Sequence, residues 1–144
     1  MLLFVINGPN LNLLGRRLPD VYGTETLDSI MMELKLYIES CGSEMVGVQT
    51  NHEGEIIDMI QDSREDIDGI ILNAGAYTHY SYAIRDAIEA CDVPVVEVHM
   101  SDIYNREEFR RHSVLSDVCL STISGKGKQS YFEAATLLLK QNLN

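Results

Sequence analysis

His99 stands two residues after Glu97 at the end of the apolar run PVVEVH. Alternate residues of a strand share a face, so the carboxylate is placed to orient the imidazole and fix its tautomer. A histidine held in that way serves as a general acid or base near neutral pH. The same pair would also suit an ordinary hydrogen-bonded strand end. A second set of polar groups lies in NAGAYTH, residues 73–79. Asn73 and His79 offer hydrogen bonds there, and the small residues between them let a ligand approach the backbone; a simple turn would use the same asparagine. A third lies in NREEFRR, residues 105–111. It reads as a short helical turn that points Arg106 and Arg110 one way. Guanidinium groups suit carboxylates and hydroxyl-rich ligands. At least one of these arginines is expected to pair with Glu107 or another surface acid instead.

Tyr22 belongs to an unusual connection. The segment GPNLNLLGRRLPDVYGTE, residues 8–25, follows the apolar run LLFVI. Strand-to-helix connections usually take about 2–6 residues, and this one is roughly three times longer. A free tyrosine, with a pKa of about 10, is a poor base at neutral pH. A neighbouring guanidinium favours the phenolate, and Arg16 or Arg17 could supply it if the loop folds back over a pocket. Gly15 and Gly23 bracket Arg16, Arg17 and Tyr22 and would help the loop open and close as a lid. Taken alone, such a tyrosine would more simply be an aromatic plug on a surface loop.

Several other chemistries are excluded. NGPNLNLLG lacks the GxGxxG pattern, and Pro9 removes an amide that a phosphate cradle would use. There is no GxxxxGK[ST] motif. A phosphoacceptor domain would want acids where this chain carries asparagines. His52, His79, His99 and His112 show no metal-ligand spacing. The net charge is −11, so the average surface repels nucleic acid and anionic membranes. Five of the seven arginines nevertheless fall in two clusters, Arg16–Arg17 and Arg106–Arg110–Arg111. Joined in space, these would form a pocket for a small anion. Cys41, Cys91 and Cys119 are far apart and odd in number, which suggests reduced thiols and a cytoplasmic protein. LLFVI is too short for a signal peptide and has no basic flank, and no run approaches membrane-spanning length.

The elements that must hold these groups alternate along the 144 residues. LLFVI reads as a buried strand. Residues 25–41 read as a helix capped by Thr24 or Thr26, with Leu27, Ile30, Met31, Leu34, Ile38 and Cys41 on its inner face. Strands are expected at 45–50, 69–73, 94–99 and 118–123. Helices are expected at 53–63 with Ile56, Ile57 and Ile60 inward, and after Ser81 with Ile84, Ala87, Ile88 and Cys91 inward. A last helix is expected at 129–143. The pattern predicts a single α/β domain over 1–144: a flavodoxin-like, doubly wound, five-stranded parallel sheet with helices on both faces. Ligands of such sheets bind beyond the strands' carboxyl ends, near the point where strand order reverses. Asn7–Asn10, Asn73 and His99 are all expected there.

INGPNLNLLGRR, VYG, ILNAGAYTH, EVHMS and REEFRRHS together resemble the type II 3-dehydroquinate dehydratases, in that family's order and spacing. The similarity covers nearly the whole chain. It implies a flavodoxin-like enzyme, a dodecamer built from four trimers, that dehydrates 3-dehydroquinate to 3-dehydroshikimate without a cofactor. The resemblance makes Tyr22 the base, Arg17 the group that lowers its pKa, Asn10 the support for the enolate oxygen and His99 the acid. It implies substrate contacts at Asn73, His79, the backbone at Met100 and Ser101, and Arg110. Asp86 would reach a neighbouring subunit's site, with Glu97 and Arg106 as support behind the contacts. Two departures, the basic SGKGKQSY at 124–131 and Tyr80, bear on surface or subunit contacts. A non-catalytic module for a small carboxylated metabolite would keep Asn73, His79, Ser101 and Arg110. It would not need Tyr22, Arg17 and His99 together.

Overall fold

A computed structural model describes residues 1–16, 24–63 and 66–141. Its strands are β1 (Leu2–Asn7), β2 (Glu44–Gln49), β3 (Gly69–Asn73), β4 (Val95–His99) and β5 (Ser121–Ser124). They form one sheet in the order β2-β1-β3-β4-β5, with every neighbouring pair parallel. The helices are α1 (Leu27–Ser40), α2 (Glu53–Asp62), α3 (Tyr82–Glu89) and α4 (Gln129–Gln141).

The alternation of side chains along each strand divides the core in two. Leu3 and Val5 of β1, Ile71 of β3, and Val96 and Val98 of β4 pack against α1 and α4. Ile6 of β1, Ile70 and Leu72 of β3, and Val95 of β4 pack against α2 and α3. Strands covered on both faces need apolar residues at nearly every position, which is why GIILN and VVEVH are buried throughout. The doubly wound fold expected from the sequence is therefore the one observed. Among the described residues, no helix is long and apolar enough to cross a membrane.

The helix starts follow from side-chain caps. Thr26 Oγ1 accepts from the Ser29 amide at 3.1 Å, and Ser81 Oγ accepts from the Ile84 amide at 3.1 Å. Three expectations need correction. Cys41 is exposed rather than inward, because α1 stops at Ser40 and the chain turns through Gly42 at φ +80°. Met31 and Ile57 are only half-buried at the margins of their helix faces, and Cys91, also half-buried, lies beyond the end of α3. The fifth strand begins at Ser121 rather than Val118, since Ser116–Val118 form a 3-10 turn first.

Candidate active site

β1 and β3 are neighbours, but the chain leaves them toward opposite faces, to α1 after β1 and to α3 after β3. The sheet therefore opens a crevice at their carboxyl ends. A cleft of about 870 Å³, open solvent at its mouth included, lies there and extends beyond β4. Its walls include Asn10, Asn73, His79, His99, Met100, Ser101, Arg106 and Arg110, with Leu11, Leu14 and Ile103 as the apolar part.

The floor depends on a close approach of two backbones. The Gly8 amide donates to the Asn73 carbonyl at 2.7 Å, and a Cβ on Gly8 would stand 2.7 Å from Ala74 backbone atoms. No larger residue fits without separating the tips of β1 and β3. Asn10 follows in the left-handed region at φ 69°, which asparagine tolerates better than most residues, and its amide donates to Asn51 Oδ1 at 3.1 Å. Gly15, at φ +90°, packs against the Thr24 carbonyl, where a Cβ would come within 2.9 Å. Gly15 and Thr24 thus lie side by side.

Period two along β4 turns Glu97 and His99 toward the α2 and α3 side. His99 Nε2 is hydrogen-bonded to Glu97 Oε2. Both residues are buried, Glu97 completely and His99 to 5% exposure. Glu97 also accepts from Ser113 Oγ at 2.8 Å, Ser116 Oγ at 2.9 Å and Thr122 Oγ1 at 3.1 Å. Burial pushes the Glu97 carboxyl up, but the hydrogen bond and charge of His99, with the serine hydroxyls, outweigh it and hold the group below its ordinary value. The carboxylate is thus kept ionised beneath the imidazole. Burial, with the Glu97 and Asp117 charges, pushes the nearby Cys119 thiol up to about 12, so it stays protonated and unreactive.

The loop after β4 presents backbone. The amides of Gly125 and Gly127 donate to the carbonyls of His99 (3.3 Å), Ser101 (3.1 Å) and Met100 (3.0 Å), the first two shared by Gly125. In a trans peptide the N–H points opposite to the preceding carbonyl. The Met100 and Ser101 amides are therefore aimed away from the glycine segment, on the cleft side. Gly125 and Gly127 take positive φ, at +83° and +59°, to make that clamp. SGKGKQSY thus acts on the site's backbone as well as on the surface, which corrects the expectation for this stretch.

NREEFRR is not one continuous helical turn. Ile103–Asn105 and Glu108–Arg110 form separate 3-10 turns, and Arg106 between them is extended. Both Arg106 and Arg110 still reach the cleft. Arg110 Nε donates to Glu107 Oε2 at 2.7 Å, the pairing expected for one arginine, and its guanidinium lies 4.8 Å from the Phe109 ring centroid. His79 Nδ1 lies 2.8 Å from the His112 carbonyl, which can only accept, so Nδ1 carries the proton and Nε2 is an acceptor. Burial lowers the His79 pKa against that bond, and the charges of His99 and Arg110 lower it further, favouring the neutral ring.

The residues 1–139 match the family profile described as Dehydroquinase class II. The chain belongs to the class II dehydroquinases. A 3-dehydroquinate dehydratase of Bacillus licheniformis is 46% identical over 140 residues, covering 97% of each chain. One from Thermotoga neapolitana is 51% identical over 140 residues, covering 97% of this chain and 95% of its own. The crystal structure of the type II dehydroquinase from Butyrivibrio crossotus superposes with a TM-score of 0.94 at 46% identity, covering 96% of this chain and 97% of that one.

In this class II dehydroquinase one cleft gathers Asn10, Asn73, His79, His99, Met100, Ser101, Arg106 and Arg110 from four separate stretches, with Glu97 directly behind His99. Asp86 is exposed on α3 and does not line this cleft. Arg17, Tyr22 and Gly23, and with them the expected lid, lie outside the described residues. Sequence reasoning missed Ser113, Ser116 and Thr122 around Glu97, and Tyr131 beneath Asn73. Isolated hydroxyls carry no spacing signal. For Tyr131 the one hint was a tyrosine on the inner face of the last helix.

Proposed function

We propose that this class II dehydroquinase removes water from 3-dehydroquinate by anti elimination, through an enolate, to give 3-dehydroshikimate. The observation that carries the reading is the buried Glu97–His99 pair opening into a cleft shared with His79, Arg110 and the Met100–Ser101 backbone. Tyr22 removes the proton beside the ketone, and the Arg17 charge lowers its pKa for that task. Asn10 supports the enolate oxygen, where negative charge develops. His99, oriented by Glu97, gives a proton to the departing hydroxyl. The substrate carboxylate takes the Met100 and Ser101 amides, and its hydroxyls take Asn73, His79 and Arg110. No cofactor is required.

Among the described residues no lysine lines the cleft, and Lys126 and Lys128 pair with Glu133, Glu25 and Glu33 at the surface. This supports an enolate rather than an imine route. The protein works as a single catalytic domain in the cytoplasm, in a dodecamer of four trimers, and serves the shikimate pathway or quinate breakdown.

The test is the ultraviolet absorbance of the conjugated enone carboxylate after adding 3-dehydroquinate, with borohydride in a parallel sample. Equal rises in both samples support the enolate route. A rise abolished by borohydride would mean a Schiff base and overturn the Tyr22 mechanism. Bound substrate with no rise would return the chain to the class of binding modules.

A further inference from the structure

Asn7 and Asn73 end the two central strands and are lateral partners in the sheet. Both side chains turn toward α4, from which Tyr131 reaches up between them. Tyr131 Oη donates to Asn7 Oδ1 at 2.7 Å, and Asn73 Nδ2 donates to Tyr131 Oη at 2.9 Å. Tyr131 and Asn7 have no exposed surface, and Asn73 has 4%.

The direction of every bond in this chain is dictated by its neighbours. The Gly75 amide donates to Asn73 Oδ1 at 3.2 Å, so the amide nitrogen of Asn73 is the atom facing Tyr131. Asn7 Nδ2 donates to the Val48 carbonyl at 3.3 Å, which leaves Asn7 Oδ1 to receive the hydroxyl proton. Tyr131 has one proton and gives it to Asn7, so toward Asn73 it can only accept. Asn73 keeps a second N–H, and Asn73 lines the cleft.

We propose that Tyr131 is a positioning residue for the dehydration: its hydrogen-bond chain from Asn7 locks the Asn73 amide with an N–H donor available to the substrate. This rests on the reading that Asn73 contacts the substrate. The substrate atom opposite Asn73 must then be an oxygen acceptor, and a ligand that can only donate at that point is rejected. Tyr131 itself is no acid or base, because burial raises its pKa and keeps the phenol protonated. Without the hydroxyl, the Asn73 amide loses the partner that holds its nitrogen.

The experiment is a double-substitution cycle with Tyr131→Phe and Asn73→Ala, read as KM and kcat separately for 3-dehydroquinate. Tyr131→Phe is expected to raise KM about tenfold, with a smaller change in kcat, since a uniformly made contact is lost. In the Asn73→Ala background it should raise KM less than about twofold. Equal effects of Tyr131→Phe in both backgrounds would overturn the positioning role while leaving Asn73 as a substrate contact. An Asn73→Ala enzyme with unchanged KM would instead refute that contact. Should Tyr131→Phe not fold, the unaltered enzyme decides by nitrogen NMR. Adding 3-dehydroshikimate should shift the Asn73 side-chain resonance while one of its two amide protons stays slow to exchange. A resonance that does not move refutes the contact, and two amide protons that both exchange fast overturn the positioning role.

Discussion

At the scale of single residues, the decisive fact is that Glu97 is ionised and buried at once. Three hydroxyls and His99 satisfy it, so the imidazole meets a fixed negative charge. A carboxyl held below its ordinary range binds protons less readily in the folded than in the unfolded chain. Its contribution is therefore complete above the ordinary carboxylate pKa and is lost as pH falls through the native value. Glu97→Gln should lower stability at neutral pH and flatten its decline below about pH 5, read by chemical denaturation across pH. An unchanged slope would mean that the carboxylate is not held in this way. The catalytic residues predict a different signature. Tyr22→Phe should lose most turnover while largely keeping ligand affinity, compared by kcat and by product binding. Near-normal turnover would remove Tyr22 as the base. Arg17→Ala should shift the alkaline rise of activity upward or abolish activity, and an unaltered pH profile would reject it as the tuning charge.

Elements matter here for where their ends lie. β1 and β3 must approach closely enough for Asn7 and Asn73 to share one tyrosine, and Gly8 permits that approach. Gly8→Ala should force the two tips apart, costing about 1–3 kcal/mol of stability and a larger share of activity, as overpacking against backbone does. Equilibrium unfolding and kcat/KM measure the two effects, and wild-type values for both would show that the tips can yield. Helix ends obey a simpler local rule. Thr26→Ala, which removes the α1 cap, should cost about 1 kcal/mol in the same unfolding measurement and leave KM unchanged.

For the whole molecule, an exposed Asp86 on α3 acquires a role only if another copy brings its cleft alongside. Asp86→Ala and His99→Ala subunits should each be weakly active alone. Co-refolded, they should recover activity, because a cleft with its own His99 can then meet a neighbour's Asp86. A mixture no more active than the average of its parts would make Asp86 a residue of no shared site. The net charge of −11 sits on the same molecule as an arginine-lined cleft, so the local field at the cleft can favour an anion that the average surface would repel.

What the sequence by itself determined follows from spacing along one chain. Apolar runs alternating with amphipathic stretches dictate a parallel sheet covered on both faces. The step of two residues from Glu97 to His99 puts them on one face of one strand. The caps at Thr26 and Ser81 depend on residues three positions away. The arginine turn at 105–111 misread its backbone yet placed both side chains correctly, because two separate 3-10 turns also bring Arg106 and Arg110 to one cleft. Only the tertiary structure decided which hydroxyls surround Glu97, which glycines clamp Met100 and Ser101, and which helix supplies Tyr131. Tyr131 meets partners 58 and 124 residues away, brought together by the lateral order of strands and the face on which α4 packs. Local periodicity says which way a side chain points, but not what another part of the chain will put in front of it.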